Sequence, residues 1–216
     1  MSRKIMTTFI CPHCNNEVAI QIWESVNVDL NPEQKGKILN GKFFDFTCEH
    51  CRTTTKVLFS CLYHDMTHQF MIYLVGNQTE ADKAVKMFYD LPINDDKTFA
   101  DYQVRITTND NVWREKAIIY DSGYDDRIVE IVKLFYLGNL KEQYPNLNVR
   151  RVFFSPEKTN NGFVLEFLCQ DDNFFTAEIP NDFYRKVEKA YHSKIQQERI
   201  YQFNVDTDWA MKILKL

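Results

Sequence analysis

Two Cys-x-x-Cys pairs, Cys11-Pro12-His13-Cys14 and Cys48-Glu49-His50-Cys51, constrain this chain more than any other stretch. Four thiolates in two distant pairs complete a tetrahedral zinc site of the zinc-ribbon kind. Zinc binding to such peptides is worth about 10–16 kcal/mol, comparable to a whole domain's net stability of about 5–15 kcal/mol. The expected cofactor is one structural zinc ion on Cys11, Cys14, Cys48 and Cys51; four thiolates also accept iron. A full sulfur set leaves no open position for water or substrate, which argues for a structural site rather than a catalytic one. His13 and His50 stand at matching places inside the loops and are expected to be exposed. Asn15-Asn16 suits a knuckle, because Asn tolerates the left-handed conformation.

Strand patterns lie between the pairs. Val18, Ile20, Ile22, Val26, Val28 and Leu30 alternate with Ala19, Gln21, Trp23, Ser25, Asn27 and Asp29, which predicts a half-buried strand, or two with a bend near Glu24. Asn31-Pro32-Glu33 opens a short helix and Asn40-Gly41 ends it. Phe43, Phe44 and Phe46 lead as a strand into the second pair, so the ribbon carries a helical insertion.

Further on, Val57 to Leu62 and Phe70 to Val75 read as a hairpin at the centre of a sheet. Thr79 starts a helix that Leu91-Pro92 stops, and Gln103 to Thr107 forms a short strand. Two helices follow, over about Val112 to Tyr120 and from near Ser122, the second burying Ile128, Ile131, Val132 and Phe135. Beyond Tyr144-Pro145-Asn146 comes a meander with turns at Asn160-Asn161-Gly162 and Asp171-Asp172-Asn173. A helix capped by Asn181, a strand over Tyr201, Phe203 and Val205, and a terminal turn capped by Asp206 or Thr207 complete it. Asn-Gly is expected there as a type I′ turn. Cys61 and Cys169 sit in apolar strand patterns and are expected to be buried, inert thiols.

The net charge of −4 sets nucleic-acid binding through phosphates behind other readings. Met1-Ser2-Arg3-Lys4-Ile5 reaches Cys11 without the apolar core of a secretory signal, and the apolar run Phe70 to Val75 is far short of a membrane span. Metal in a reducing cytoplasm is therefore expected, rather than disulfides.

Taken together, several separated blocks resemble the CpXC family of bacterial and archaeal proteins. They are Cys11-Pro12-His13-Cys14, the following Ile22-Trp23-Glu24-Ser25-Val26-Asn27-Val28-Asp29, Phe46-Thr47-Cys48, Leu62-Tyr63-His64-Asp65 with Phe70-Met71-Ile72-Tyr73, and Gly123-Tyr124-Asp125-Asp126-Arg127 leading to Glu130 and Lys133. The likeness covers about residues 8–140, with Glu49 where many relatives have Pro and Tyr124 where Leu is more usual. The family is named for its cysteines, and the resemblance carries no catalytic residue over.

Two other constellations carry polar residues at suggestive spacing. His64-Asp65-Met66-Thr67-His68 looks like a metalloprotease His-Glu-x-x-His with Asp for Glu, but that chemistry needs a helix and the flanks are strand-like. Asp125, Asp126, Arg127 and Glu130 could form a Mg²⁺ or acid–base cluster, while a helix N-terminus already favours carboxylates. The fold expected is α+β: an N-terminal zinc ribbon with helical insertion, an antiparallel sheet, helices, and a C-terminal β-meander with helices. Residues 1–144 would form a CpXC-like zinc-ribbon domain, and residues 145–216 a small α+β part packed on it. The expected function is a non-catalytic, cytoplasmic protein-interaction module binding a protein partner or its own copy. Alternatives are a nucleic-acid-binding zinc ribbon and a hydrolase-like enzyme using Asp125 and Asp126 or His64 and His68. Neither membrane association nor a small-molecule substrate is expected.

Overall fold

A hairpin opens the chain and carries the first cysteine pair at its tip: β1 (Arg3–Ile10) runs antiparallel to β2 (Glu17–Asn27). The structure, a computed structural model, describes residues 2–90, 102–159, 161–170, 172–197 and 202–215. In β2 the alternation puts Val18 and Ile20 inward and Ala19 and Gln21 outward. From Trp23 onward side chains of both parities are covered, down to a buried Asn27. Leu30, expected to point inward, is exposed. The Asn27 side chain accepts from the amides of Asp29 and Leu30 and turns the chain away from the strand before Leu30 is reached.

Next comes α1 (Pro32–Leu39), with Pro32 in its first turn. Asn31 holds the cap position, but its side chain accepts from the Ser2 hydroxyl instead of a helix amide. Gly41, at φ +78°, carries the chain out of the helix. A second hairpin, β3 (Asp45–Thr47) and β4 (Thr54–Lys56), holds the second cysteine pair at its tip.

The expected hairpin forms from β5 (Cys61–Asp65) and β6 (Phe70–Leu74), its first strand starting at Cys61 rather than Val57 and running on through His64 and Asp65; α2 (Gln78–Asp90) and β7 (Gln103–Thr107) follow. The Leu91-Pro92 stop lies outside the described residues. These strands form one sheet in the order β1-β2-β5-β6-β7. It is mixed rather than antiparallel: β2 pairs with β5, and β6 with β7, in parallel. Parallel neighbours need a crossover, and the chain supplies one each time, first α1 with the second hairpin, then α2.

α3 (Asp110–Asp121) starts at Asn109, whose side chain accepts from the amides of Asn111 and Val112. Gly123, at φ +77°, follows it, and α4 (Asp126–Gln143) begins four residues after the expected start near Ser122. The meander is β8 (Val149–Thr159), β9 (Gly162–Cys169) and β10 (Phe174–Pro180), all antiparallel. α5 (Asn181–Gln197) and α6 (Thr207–Leu214) close the chain, the Asp206 side chain capping α6 through Trp209 N. Asn160, Asp171 and Tyr201, which belong to expected turns and a strand, lie outside the described residues. Residues 202–205 are irregular rather than a strand, yet Val205 is buried.

The chain divides into two compact units, Met1–Ala117 and Ile118–Leu216. Ile128 and Val132 of α4 share one core with Phe163 and Phe167 of β9, Val187 of α5 and Trp209 of α6. The helix thus belongs with the meander it precedes. In the first unit the Trp113 ring lies 5.6 Å from Phe43, 5.5 Å from Phe44 and 6.0 Å from Tyr63.

Gly162 has a different task from the one its Asn neighbours suggest. Thr159 pairs with Gly162, so the glycine is already in the strand. A Cβ there would lie 2.0 Å from the Ile179 carbonyl oxygen of β10. Gly162→Ala should therefore force the β9 and β10 backbones apart and cost at least about 1–3 kcal/mol. The exposed helical Gly138 has nothing within 4 Å of its would-be Cβ, and Gly138→Ala should instead stabilise by about 0.5–1 kcal/mol. Urea midpoints of the two variants should move in opposite directions.

Candidate metal centre

The two hairpin tips have the same backbone geometry. Cys11 N donates to Asn16 O at 2.9 Å and Asn15 N to Cys11 O at 2.9 Å; Cys48 N donates to Thr53 O at 3.0 Å and Arg52 N to Cys48 O at 2.9 Å. Asn15 and Arg52 hold equivalent positive φ angles of 57° and 59°. Asn adopts this conformation readily, whereas Arg52 pays roughly 1–2 kcal/mol for it. In the second loop the backbone of His50 and Cys51 also hydrogen-bonds to the Cys48 sulfur, and the thiols of the two tips face one another. Between the hairpins Phe9 and Phe46 meet edge to face, with centroids 5.0 Å apart. Val18 and Ile20 are buried in the same cluster as Cys11 and Cys48. This small apolar wedge brings the sulfurs together.

All four Sγ atoms lie within 4.8 Å of one another. Cys11 approaches Cys51 at 3.8 Å, and Cys14 approaches Cys48 at 3.8 Å. A regular tetrahedron with Zn–S bonds of about 2.3 Å has edges of about 3.8 Å, so the spacing fits one zinc ion with four sulfur ligands. Cys11 and Cys48 are fully buried, while Cys14 and Cys51 are half-buried. No pair is joined as a disulfide.

The electrostatics of the cluster fit the same ion. The Thr53 hydroxyl and backbone hold the Cys51 thiol down at about 6. The Asn16 backbone, opposed by burial, holds Cys14 below its ordinary value. Backbone hydrogen bonding at Cys51 pulls Cys48 down, but burial and the Cys11 and Cys51 sulfurs outweigh it and push Cys48 up to about 11. Thiols this close resist ionising together, and a bound divalent cation removes that resistance outright. Among the described residues, no other group of His, Cys, Asp or Glu offers three ligands to one ion. His13 and His50 are exposed, as expected, and Cys61 and Cys169 are buried elsewhere. Burial alone pushes the Cys61 thiol far up.

Among the described residues, neither the His64–His68 stretch nor the Asp125–Glu130 segment gathers three ligands for one ion. His64 Nε2 lies 3.0 Å from the Tyr102 hydroxyl, and His68 Nδ1 lies 2.9 Å from Asp65 Oδ2. The stretch between them is a hairpin turn, held by the Asp29 carboxylate through Met66 N and the Thr67 hydroxyl. Asp125 caps α4, accepting from Arg127 N and pairing with the Arg127 side chain. Asp126 is buried and accepts from the Tyr120 hydroxyl at 3.1 Å. Glu130 pairs with Lys133 at 2.9 Å. Asp126, Arg127, Glu130 and Lys133 of α4 are all buried.

Asp65 is a buried polar residue whose role the His64 and His68 spacing does not announce. Its side chain is fully buried and meets Lys35 Nζ at 3.3 Å, the Tyr63 hydroxyl at 3.2 Å, and His68 through both backbone amide and ring. Period-two alternation with Cys61 and Tyr63 would have pointed it inward. Burial raises its carboxyl, but the His68 hydrogen bonds and the His68 and Lys35 charges bring it below the ordinary 3.8. A depressed carboxyl contributes stability that is complete above its unfolded value and is lost as pH falls through the folded one. Wild-type stability should therefore fall more steeply below about pH 4 than that of Asp65→Asn. Parallel urea titrations from pH 6 downward, with equal slopes for both proteins, would remove this role.

No helix among the described residues is long and apolar enough to cross a membrane. No curated protein and no solved structure matches the chain. The family model described as CpXC protein matches residues 9–133, from just before the first knuckle through β7 and α3 to Lys133 in α4. That span covers more than half of the sequence and both cysteine pairs, and the chain therefore belongs to the CpXC family.

Proposed function

We propose that this CpXC protein holds one structural zinc ion on Cys11, Cys14, Cys48 and Cys51 and works without catalysis in the reducing cytoplasm, as a module that binds another protein or a second copy of itself. The observation that carries the metal reading is the pair of matched knuckles, whose sulfurs approach at the 3.8 Å edge of a zinc tetrahedron. Bound there, the ion would supply a crosslink between two hairpin tips and no reaction chemistry. The chain's own residues do the remainder: Asn16 and Thr53 favour the thiolates, and Phe9 and Phe46 exclude water beside them.

The interaction reading draws on the outer strands. β1 ends the five-stranded sheet and exposes Met6 and Ile10 at 64% and 68%; β10 ends the three-stranded sheet and exposes Phe174 and Phe175. Edge strands with apolar side chains in water are surfaces on which another strand adds. Elemental analysis should find one zinc per chain, and sedimentation with wild type and Met6→Lys/Ile10→Lys should show association that the double variant loses. A monomer that instead binds nucleic acid with steep salt dependence would replace the interaction reading with its alternative.

A further inference from the structure

The four sulfurs differ in access in a way that pairs them across the knuckles. Cys11 and Cys48 are fully buried, and Cys14 and Cys51 are half-buried. Each close approach joins one of each kind: Cys51 with Cys11, and Cys14 with Cys48, both at 3.8 Å. Both approaches link one hairpin to the other, since Cys11 and Cys14 follow β1 whereas Cys48 and Cys51 follow β3.

From this arrangement we infer that the centre is a site of peroxide modification, in which oxidation expels the metal and locks the two hairpins together through Cys11–Cys51 and Cys14–Cys48 disulfides. The inference rests on the metal reading above. The accessible Cys51 thiolate attacks a peroxide, breaking the O–O bond to form a sulfenic acid and releasing hydroxide. The buried Cys11 thiolate, one short displacement away, attacks that sulfur. The S–S bond forms as the S–O bond breaks, and a second hydroxide leaves. Two sulfurs are each oxidised by one electron while one peroxide gains two. Cys14 and Cys48 repeat the step with a second peroxide. Four thiolates and two peroxides thus give two disulfides and four hydroxides, and the ion is left without ligands. The remaining cysteines stay out of the exchange, because Cys61 and Cys169 are buried away from the cluster at 0% and 1% exposure.

The connectivity is the part that can fail. Trypsin cuts after Lys4, Lys35, Lys42 and Arg52, so the first pair lies in peptide 5–35 and the second in peptide 43–52. Native protein is first assayed for metal, then treated with hydrogen peroxide beside a chromogenic zinc chelator, alkylated and digested without reductant. The expected result is one equivalent of metal released for two of peroxide consumed, with peptides 5–35 and 43–52 covalently joined and four hydrogens lighter than the reduced pair. Fragmentation of the joined species should place the bonds at 11–51 and 14–48. Separate peptides each with an internal disulfide, an 11–48 connection, or sulfinic acids without a disulfide would overturn the inference while leaving the metal site standing. Absence of metal from the first assay would instead strike the metal reading itself.

Discussion

Replacing Cys48 by Ser, or treating the wild type with a strong chelator, is expected to release the metal and melt both hairpin tips. Amides of residues 11–16 and 45–56 should then exchange with solvent near the rate of an open chain. The size of the effect follows from how little else holds this part. β3 and β4 have three residues each, and a lone two-stranded hairpin is marginal in water at best. Among the described residues, the buried side chains of the apolar wedge around the sulfurs are Val18 and Ile20 besides Cys11 and Cys48. Arg52 also sits in a backbone conformation it disfavours. Against these, a four-sulfur zinc site contributes about 10–16 kcal/mol, more than such a hairpin can make up by packing. The amides of β9, in the second unit, should keep their protection and serve as an internal reference. Cys61→Ala is the matching control: it removes a buried thiol outside the cluster and should leave the metal content unchanged. Protection at Asn15 and Arg52 that survives both chelation and Cys48→Ser would show that the backbone holds the tips without an ion.

The parts of this site legible in the sequence were those encoded by spacing. Two Cys-x-x-Cys loops carry their geometry locally, because each needs only a few residues and one left-handed position to close. Asn15 advertised that position, and Arg52 concealed it. The helical insertion was readable from Asn31-Pro32 and Asn40-Gly41, and the central hairpin from its two apolar runs. Less legible was what depends on distant chain. Parallel pairing of β2 with β5 and of β6 with β7 leaves no local mark, since a strand buried on both faces looks alike in either direction. The division between Ala117 and Ile118 is hard to read for a related reason. Tyr144-Pro145-Asn146 has the composition of a linker, but Ile128 and Val132 of α4 are buried with residues up to Ile213. Gly162 was read by the turn it adjoins, while its actual constraint is the carbonyl of a strand that comes later in the chain. Asp65 was hidden by its neighbours, because two histidines four apart drew attention from the one side chain that both the turn and Lys35 converge upon.

Trp113→Ala should be the most damaging single change away from the cysteines, costing about 3–5 kcal/mol. The indole is 1% exposed, its N–H donates to the Ile72 carbonyl at 3.1 Å, and its ring meets Phe43, Phe44 and Tyr63. One side chain on α3 thereby joins strand β6 to the segment that leads into the second knuckle. Truncation would leave a large void among rings that cannot all close over it, and would leave a buried carbonyl without its donor. Trp113→Phe separates the two terms. It keeps most of the ring packing and loses the hydrogen bond, whose absence costs about 1–3 kcal/mol when the acceptor stays buried. Urea unfolding should therefore rank wild type above Trp113→Phe and Trp113→Phe above Trp113→Ala. Because Phe43 and Phe44 immediately precede β3, the alanine variant should also bind zinc more weakly in a competition with a chromogenic chelator, although Trp113 is no ligand. Equal zinc affinity across all three proteins would mean that the second knuckle is positioned independently of this core.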